Sequence, residues 1–193
     1  LFIADSGNYR VRVVNLETGI ISPYAGDGVA GFAGDGGPAD NARFRLISFV
    51  ALDAQGNLLI SDAEDHRVRR VNRQTRTIST FAGIGSPGVS PDGTAATSAQ
   101  LNSPEGLAVD ASDGTVYIAS RAVVLRVDPA GKVSVFAGGN FDLSTEDGLP
   151  ATQIAGSFGT GLAIDHARRL LYVVEYFRCM VRTVNLDTGI VGT

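Results

Sequence analysis

The segment YAGDGVAGFAGDGGPA, Tyr24 to Ala39, carries Gly26, Gly28 and Gly31 at the spacing G-x-G-x-x-G. Such a loop can wrap a dinucleotide pyrophosphate, because glycine lets backbone N–H groups approach the phosphates. It does so only where a strand leads in, a helix begins at the glycines and an acid follows about 20 residues on. Asp27 and Asp35 in the same segment would supply part of a calcium loop, which needs about six oxygen ligands. Arginines recur at Arg10 and Arg12, at Arg67, Arg69 and Arg70, and at Arg178 and Arg182, as a basic stripe for a nucleic-acid backbone would require. His66 and His166 stand apart, no Cys/His cluster has metal-ligand spacing, and no Gly-x-Ser-x-Gly elbow occurs.

What these residues can do depends on the elements that hold them, and those elements repeat. FAGIGSPGVSPDGTAA and FAGGNFDLSTEDGLPA reproduce the glycine segment and align Ala25, Ala82 and Ala137 at spacings of 57 and 55 residues. Asp53, Asp110 and Asp165 keep this period, as do Asp5, Asp62, Ser120 and Glu175. A phosphate cradle has no reason to recur in tandem, and the third copy has lost the glycine spacing. The second copy has no acid at the place of Asp27, which counts against calcium.

Within the second copy, FVALD, LLISD, RVRRVN and TISTFAG are short runs rich in β-branched, aliphatic or aromatic residues, bounded by Gly, Asp or Asn turns. They predict a four-stranded antiparallel meander. A 3.6-residue apolar period is confined to single turns at PADNARF and AATSAQL, so the dinucleotide reading fails for want of a helix. A four-stranded sheet repeated every 40 to 60 residues or so is a β-propeller blade, which buries both faces only by stacking on its neighbours. The blades are expected at about 1–45 and 157–193 as incomplete copies, with 46–101 and 102–156 complete. An open arc is expected, since a six-bladed ring at this period needs roughly 330 residues.

The chain of 193 residues is 44% hydrophobic, enough for a folded core. Its formal net charge of -4 gives no general attraction to nucleic acid or to anionic membranes. The one cysteine, Cys179, cannot form an internal disulfide and is read as a small packed hydrophobe. No run of about 20 apolar residues predicts a membrane span. The chain opens within a repeat, at LFIAD, and has its one methionine at Met180, so it is read as a segment of a longer protein.

SPEGLAVDASDGTVYIASRAVVLRVDPAGKVSVFAG, with LFIADSGNYRVRVVNLETGIISPYAG and LLISDAEDHRVRRVNRQTRTISTFAG, resembles the NHL repeat in its long bacterial variety with a GDGGPA insertion between blades. The resemblance covers essentially the whole chain. It implies a six-bladed propeller that acts as a platform for protein partners. A minority of the family bind RNA, and related six-bladed propellers include lactonases and lyases. The third copy shortens the turn after Ser120 and the fourth has Glu175 where Asp is usual, which departs from a uniform ring of ligands.

A non-catalytic scaffold for a protein or peptide partner is therefore expected, with no catalytic residue, metal or cofactor assigned. The alternatives are a metal-assisted hydrolase or lyase with Asp5, Asp62 and Glu175 at a channel mouth, and RNA binding through the arginine stripe. Asp5, Arg12, Asp62, Arg69, Glu175 and Arg182 are expected to pair within their blades and brace turns. Asp35, Asp92 and Asp147 are expected to cap the short turns that begin at Pro38, Ala95 and Pro150. Recognition is expected at the insertion tips, around Val29 and Phe32, Ser86 and Val89, and Phe141 and Leu143, where the copies differ most.

Overall fold

The computed structural model describes residues 1–139, 146–154 and 158–193. The runs of Val, Ile and Leu between Asp, Asn and Gly turns form four antiparallel sheets, each made by strands consecutive in sequence. The first holds β1 (Phe2–Asp5), β2 (Arg10–Val14) and β3 (Ile21–Ala25). The second holds β4 (Ile47–Leu52), β5 (Leu58–Asp62), β6 (Arg67–Val71) and β7 (Ile78–Ala82). The third joins the two-residue β8 (Thr94–Ala95) to β9 (Pro104–Val109), β10 (Val116–Ser120), β11 (Val123–Val127) and β12 (Lys132–Gly138) in the order β8-β12-β11-β10-β9. The fourth holds β13 (Phe158–Asp165), β14 (Leu170–Glu175), β15 (Met180–Asn185) and β16 (Val191–Gly192).

Local chemistry sets the register. The Asp53 carboxylate accepts the amides of Gln55 and Asn57, and the Asn72 side chain accepts those of Gln74 and Thr75, closing the turns before β5 and β7. A bulge follows Val11, Val68 and Val124, the same place in three sheets. The first strands of successive blades, β4, β9 and β13, lie side by side, and β1 lies against β4.

Three apolar cores lie between successive sheets. Val11 and Ala25 with Phe44, Ile60 and Val71 join the first to the second; Leu59, Leu101, Ile118 and Leu125 join the second to the third; Tyr117, Phe136, Leu171 and Val184 join the third to the fourth. This is why β5 and β10 are buried along their whole length, whereas outer positions of the first and last sheets, such as Ile3 and Val181, are exposed. On the basal side, Arg169 of the fourth sheet reaches back to Asp110 of the third (2.6 Å) and holds Asp187 (3.2 Å).

Burial pushes the Asp110 carboxyl up, but the hydroxyl and amide of Ser112 and the Arg169 guanidinium outweigh it and hold the group below the ordinary carboxylate range. A depressed folded-state value means that the contribution is complete above the unfolded-state pKa and is lost as pH falls through the folded one. Arg169→Ala should therefore lower the urea midpoint at about pH 7, and the gap from the parent should shrink at about pH 3. An equal gap at both pH values would assign the loss to packing instead.

The glycine-rich insertions differ from their expected form. Each adds an outer edge to the next sheet: Pro38 bridges Thr77, Thr94–Ala95 pairs with Lys132 and Val133, and Pro150 bridges Ile190. This pairing covers the edges of β7, β12 and β16, which a four-stranded blade would leave open. The short turns are 3-10 helices at Ala39–Asn41, Ala96–Ser98 and Ala151–Gln153, none with a side-chain cap. The expectation that Asp35, Asp92 and Asp147 cap them is thus corrected, because those carboxylates bond to the following sheet.

Candidate recognition face

The insertions and the turns between second and third strands emerge at the same end of the blades and build one face. Its stems are fixed by repeated hydrogen bonds. Gly26 and Gly83 donate to the carbonyls of Ala39 and Ala96, and Asp27 and Ile84 donate to those of Ala42 and Ala99, so each insertion folds back on itself. The glycine spacing that suggested a nucleotide has a packing cause. Gly26 and Gly83 have φ of 99° and 97°, and a Cβ there would lie 2.5 Å from the Tyr9 carbonyl oxygen and 2.3 Å from that of His66. Gly28 and Gly85 make room for the guanidinium groups of Arg10 and Arg67, which occupy equivalent positions at the start of β2 and β6.

The insertion acids fasten these stems. Asp35 accepts from Arg69 (2.5 Å), from the Thr80 amide (3.0 Å) and from the Thr80 hydroxyl (2.6 Å). Asp147 repeats the arrangement with Arg182 (3.1 Å) and with the amide and hydroxyl of Thr193. Asp92 keeps the backbone bond to Val135 and has no arginine, since Leu125 stands at that place. Arg69 and Arg182 are completely buried. Arg69 also donates to the Ala33 carbonyl (3.1 Å), and Phe32 lies over it and over Arg67, ring centroid to guanidinium carbon 4.7 and 3.9 Å.

The residues expected to brace turns divide into different roles. Asp5 pairs with Arg12 at 2.6 Å within one sheet, and the Asn8 amide and Arg12 hold its carboxyl below the ordinary range. Asp62 does not pair with Arg69. It accepts the amides of Arg45 (3.1 Å) and Leu46 (2.9 Å) where the chain enters β4, and burial raises its pKa despite those bonds. Ser120 does the same work with the Asn102 amide and carbonyl. Glu175 is fully buried, 3.6 Å from Arg178 and 4.0 Å from Arg182, and neither of its oxygens has a hydrogen-bond partner among the described residues.

At the tips, Val29, Phe32 and Val89 are exposed and Ser86 is half-buried; Phe141 and Leu143 lie outside the described residues. Exposed Leu46 and Ile84 extend this apolar surface. The sequence reading missed both, because it looked to the tips, whereas Ile84 stands at the stem position of Asp27 and Leu46 lies in the chain's entry to β4. Asp27 is engaged by Arg43 (2.8 Å) and the Val29 amide, away from the bonds of Asp35. Among the described residues no three His, Cys, Asp or Glu gather as metal ligands, and no helix is long and apolar enough to cross a membrane.

This arrangement of stacked antiparallel sheets recurs in solved structures. A protein of unknown function from Bacteroides thetaiotaomicron superposes with TM-score 0.72 at 19% identity, over 94% of this chain and 43% of that one. A nidogen/laminin complex gives 0.64 at 15% identity over 99% and 59%, and streptogramin B lyase 0.57 at 10% over 99% and 49%. In sequence, Protein SUPPRESSOR OF QUENCHING 1, chloroplastic, of Arabidopsis thaliana is 28% identical over 98% of this chain and 18% of its own length. NHL repeat-containing protein 2 of Homo sapiens is 28% identical over 62% of the chain and 17% of its own length. The chain thus spans under a fifth of each curated relative. No family model matches it. The fold is that of a β-propeller, and in sequence its repeats are similar to part of NHL repeat-containing protein 2.

Proposed function

We propose that the chain is a non-catalytic NHL-type scaffold that presents its insertion tips to a protein or peptide partner. The observation that carries this reading is the contrast within the first two insertions: a stem paired into the next sheet and clamped by Asp35 or Asp92, and a tip that leaves Val29, Phe32 and Val89 in solvent. Differing side chains on a repeated rigid frame supply selectivity at little ordering cost. The arginine-stripe alternative loses Arg69 and Arg182, which are buried, and the metal alternative finds Asp5 on Arg12, Asp62 on amides and Glu175 between two arginines. The four sheets are taken as part of a six-bladed ring, the count that the resemblance to the NHL repeat implies. Scattering from the full-length protein that fitted a closed four-bladed ring would reject this count.

A photo-crosslinking residue placed at Val29 or Val89 is expected to capture the same partner. Placed at Gln74, in a turn at the opposite end of the blade, it is expected to capture none. Capture from Gln74 alone would move recognition to the basal end.

A further inference from the structure

The sheets are copies of one another, so their boundaries can be compared residue by residue, and one boundary lacks a side chain that another has. The carbonyls of Arg76, Gly131 and Gly189 accept from the amides of Ala39, Ala96 and Ala151, which makes the three residues equivalent. All three have left-handed φ, 60°, 75° and 70°. Glycine suits that conformation and arginine does not, so Arg76 must be held there by its contacts. Its guanidinium carbon lies 3.4 Å from the centroid of the Tyr24 ring, and its Nη2 donates to the Tyr24 carbonyl. Tyr24 in turn meets Phe2 edge-to-face at 4.6 Å.

The boundary between the third and fourth sheets has the same aromatic pair without the arginine. Phe136, the counterpart of Tyr24, meets Tyr117, the counterpart of Phe2, at 4.8 Å. Where Arg76 would reach in, Gly189 leaves a cavity of about 300 Å³ lined by Phe136, Ala151 and Leu186. The middle boundary differs, since Leu59 replaces the inner aromatic and Arg70 lies 5.8 Å from the Phe81 ring. At the third boundary Arg126, tied to the Ser134 hydroxyl, stands where the first sheet has Val13, and Asp187, whose Oδ1 is held by Arg169 at 3.2 Å, stands where the second has Gln74.

We propose that this cavity is a binding site for a guanidinium group, supplied by an arginine side chain of a protein partner and seated on Phe136 as Arg76 is seated on Tyr24. Only the source of the arginine rests on the scaffold reading; the cavity's chemistry stands apart from it. A planar cation gains from the ring face, and its N–H groups have the Phe136 carbonyl, counterpart of the Tyr24 carbonyl that Arg76 uses, and Oδ2 of Asp187, whose Oδ1 Arg169 holds, to donate to.

The test is a two-dimensional NMR titration of the chain with ethylguanidinium, beside ethylammonium, urea and acetate. Saturable shifts at Ala151 and Gly189 are expected, with ethylguanidinium binding roughly tenfold tighter than urea, the ratio that a cation–π contact of ordinary strength gives. Gly189→Arg should abolish them by filling its own cavity. Arg76→Gly should open a second site, with new saturable shifts at Ala25 and Ala39. Should Gly189→Arg not fold, Phe136→Leu replaces it and should weaken binding by a similar factor. Equal affinity for all four probes, shifts that survive at Gly189→Arg, or no second site in Arg76→Gly would overturn the assignment. An arginine tripeptide should bind at least as well as ethylguanidinium and displace it. Failure of the tripeptide alone would overturn the partner's arginine as the source and leave recognition at the insertion tips untouched.

Discussion

Arg69→Ala is expected to be among the most damaging single changes in the chain, costing about 2–5 kcal/mol, chiefly through the cavity left by a completely buried side chain, since the Asp35 carboxylate it leaves behind is 37% exposed and screened by water. The side chain is completely buried and donates to Asp35, to the Ala33 carbonyl and, at 3.4 Å, to the Arg43 carbonyl. Its loss leaves a cavity beside Phe44 and frees the insertion from the second sheet. Arg69→Leu should cost clearly less, because the third sheet folds with Leu125 at the same place and leaves Asp92 on a backbone amide alone. Chemical denaturation of the two variants separates packing from pairing. Equal losses in both would show that the ion pair, and not the filled volume, dominates.

Gly83→Ala is expected to be as severe, about 3–5 kcal/mol, because strain and collision add. Its φ of 97° disfavours any side chain, and the added methyl would sit 2.3 Å from the His66 carbonyl oxygen and 3.0 Å from Arg67 Cα, both backbone atoms with little freedom to retreat. Gly85→Ala should be milder, since the atoms in its way belong to the Arg67 guanidinium, which can swing aside. Thermal melts of the pair give the order directly. If Gly85→Ala proved the worse of the two, Arg67 would be more rigidly seated than its bonds to Asp65 and the Ile84 carbonyl imply.

The repeats and their strands were legible because both are written in short-range patterns: alternation of turn residues with β-branched runs, and a period of 55 to 57 residues kept by Ala25, Ala82 and Ala137. The Asp5–Arg12 pair was legible for the same reason, its partners lying diagonally across one hairpin, Asp5 opposite Arg10 and Arg12 opposite Ile3. The outer edge strands were not. Pro38 and Thr94–Ala95 pair over one or two residues, too few for any periodicity to register. The true partner of Arg69 lies 34 residues away on another element, and Asp62 bonds to amides that no side-chain pattern announces. One signal was available and unread: NRQTRT sets Arg76 where NLETGI and NLDTGI have glycine, which marks a left-handed residue that must have a reason to be arginine.

The central claim, that the glycine-rich insertions are structural stems with free tips and not ligand-binding loops, is tested most directly by hydrogen exchange on the intact chain. The amides of Gly36, Ala39, Gly93 and Ala96, which donate to Ile78, Arg76, Val133 and Gly131, should exchange as slowly as those of β7 and β12, while the amides of Ser86, Gly88 and Val89 at the second tip exchange at least roughly a hundredfold faster. Fast exchange along whole insertions, stems included, would contradict the account.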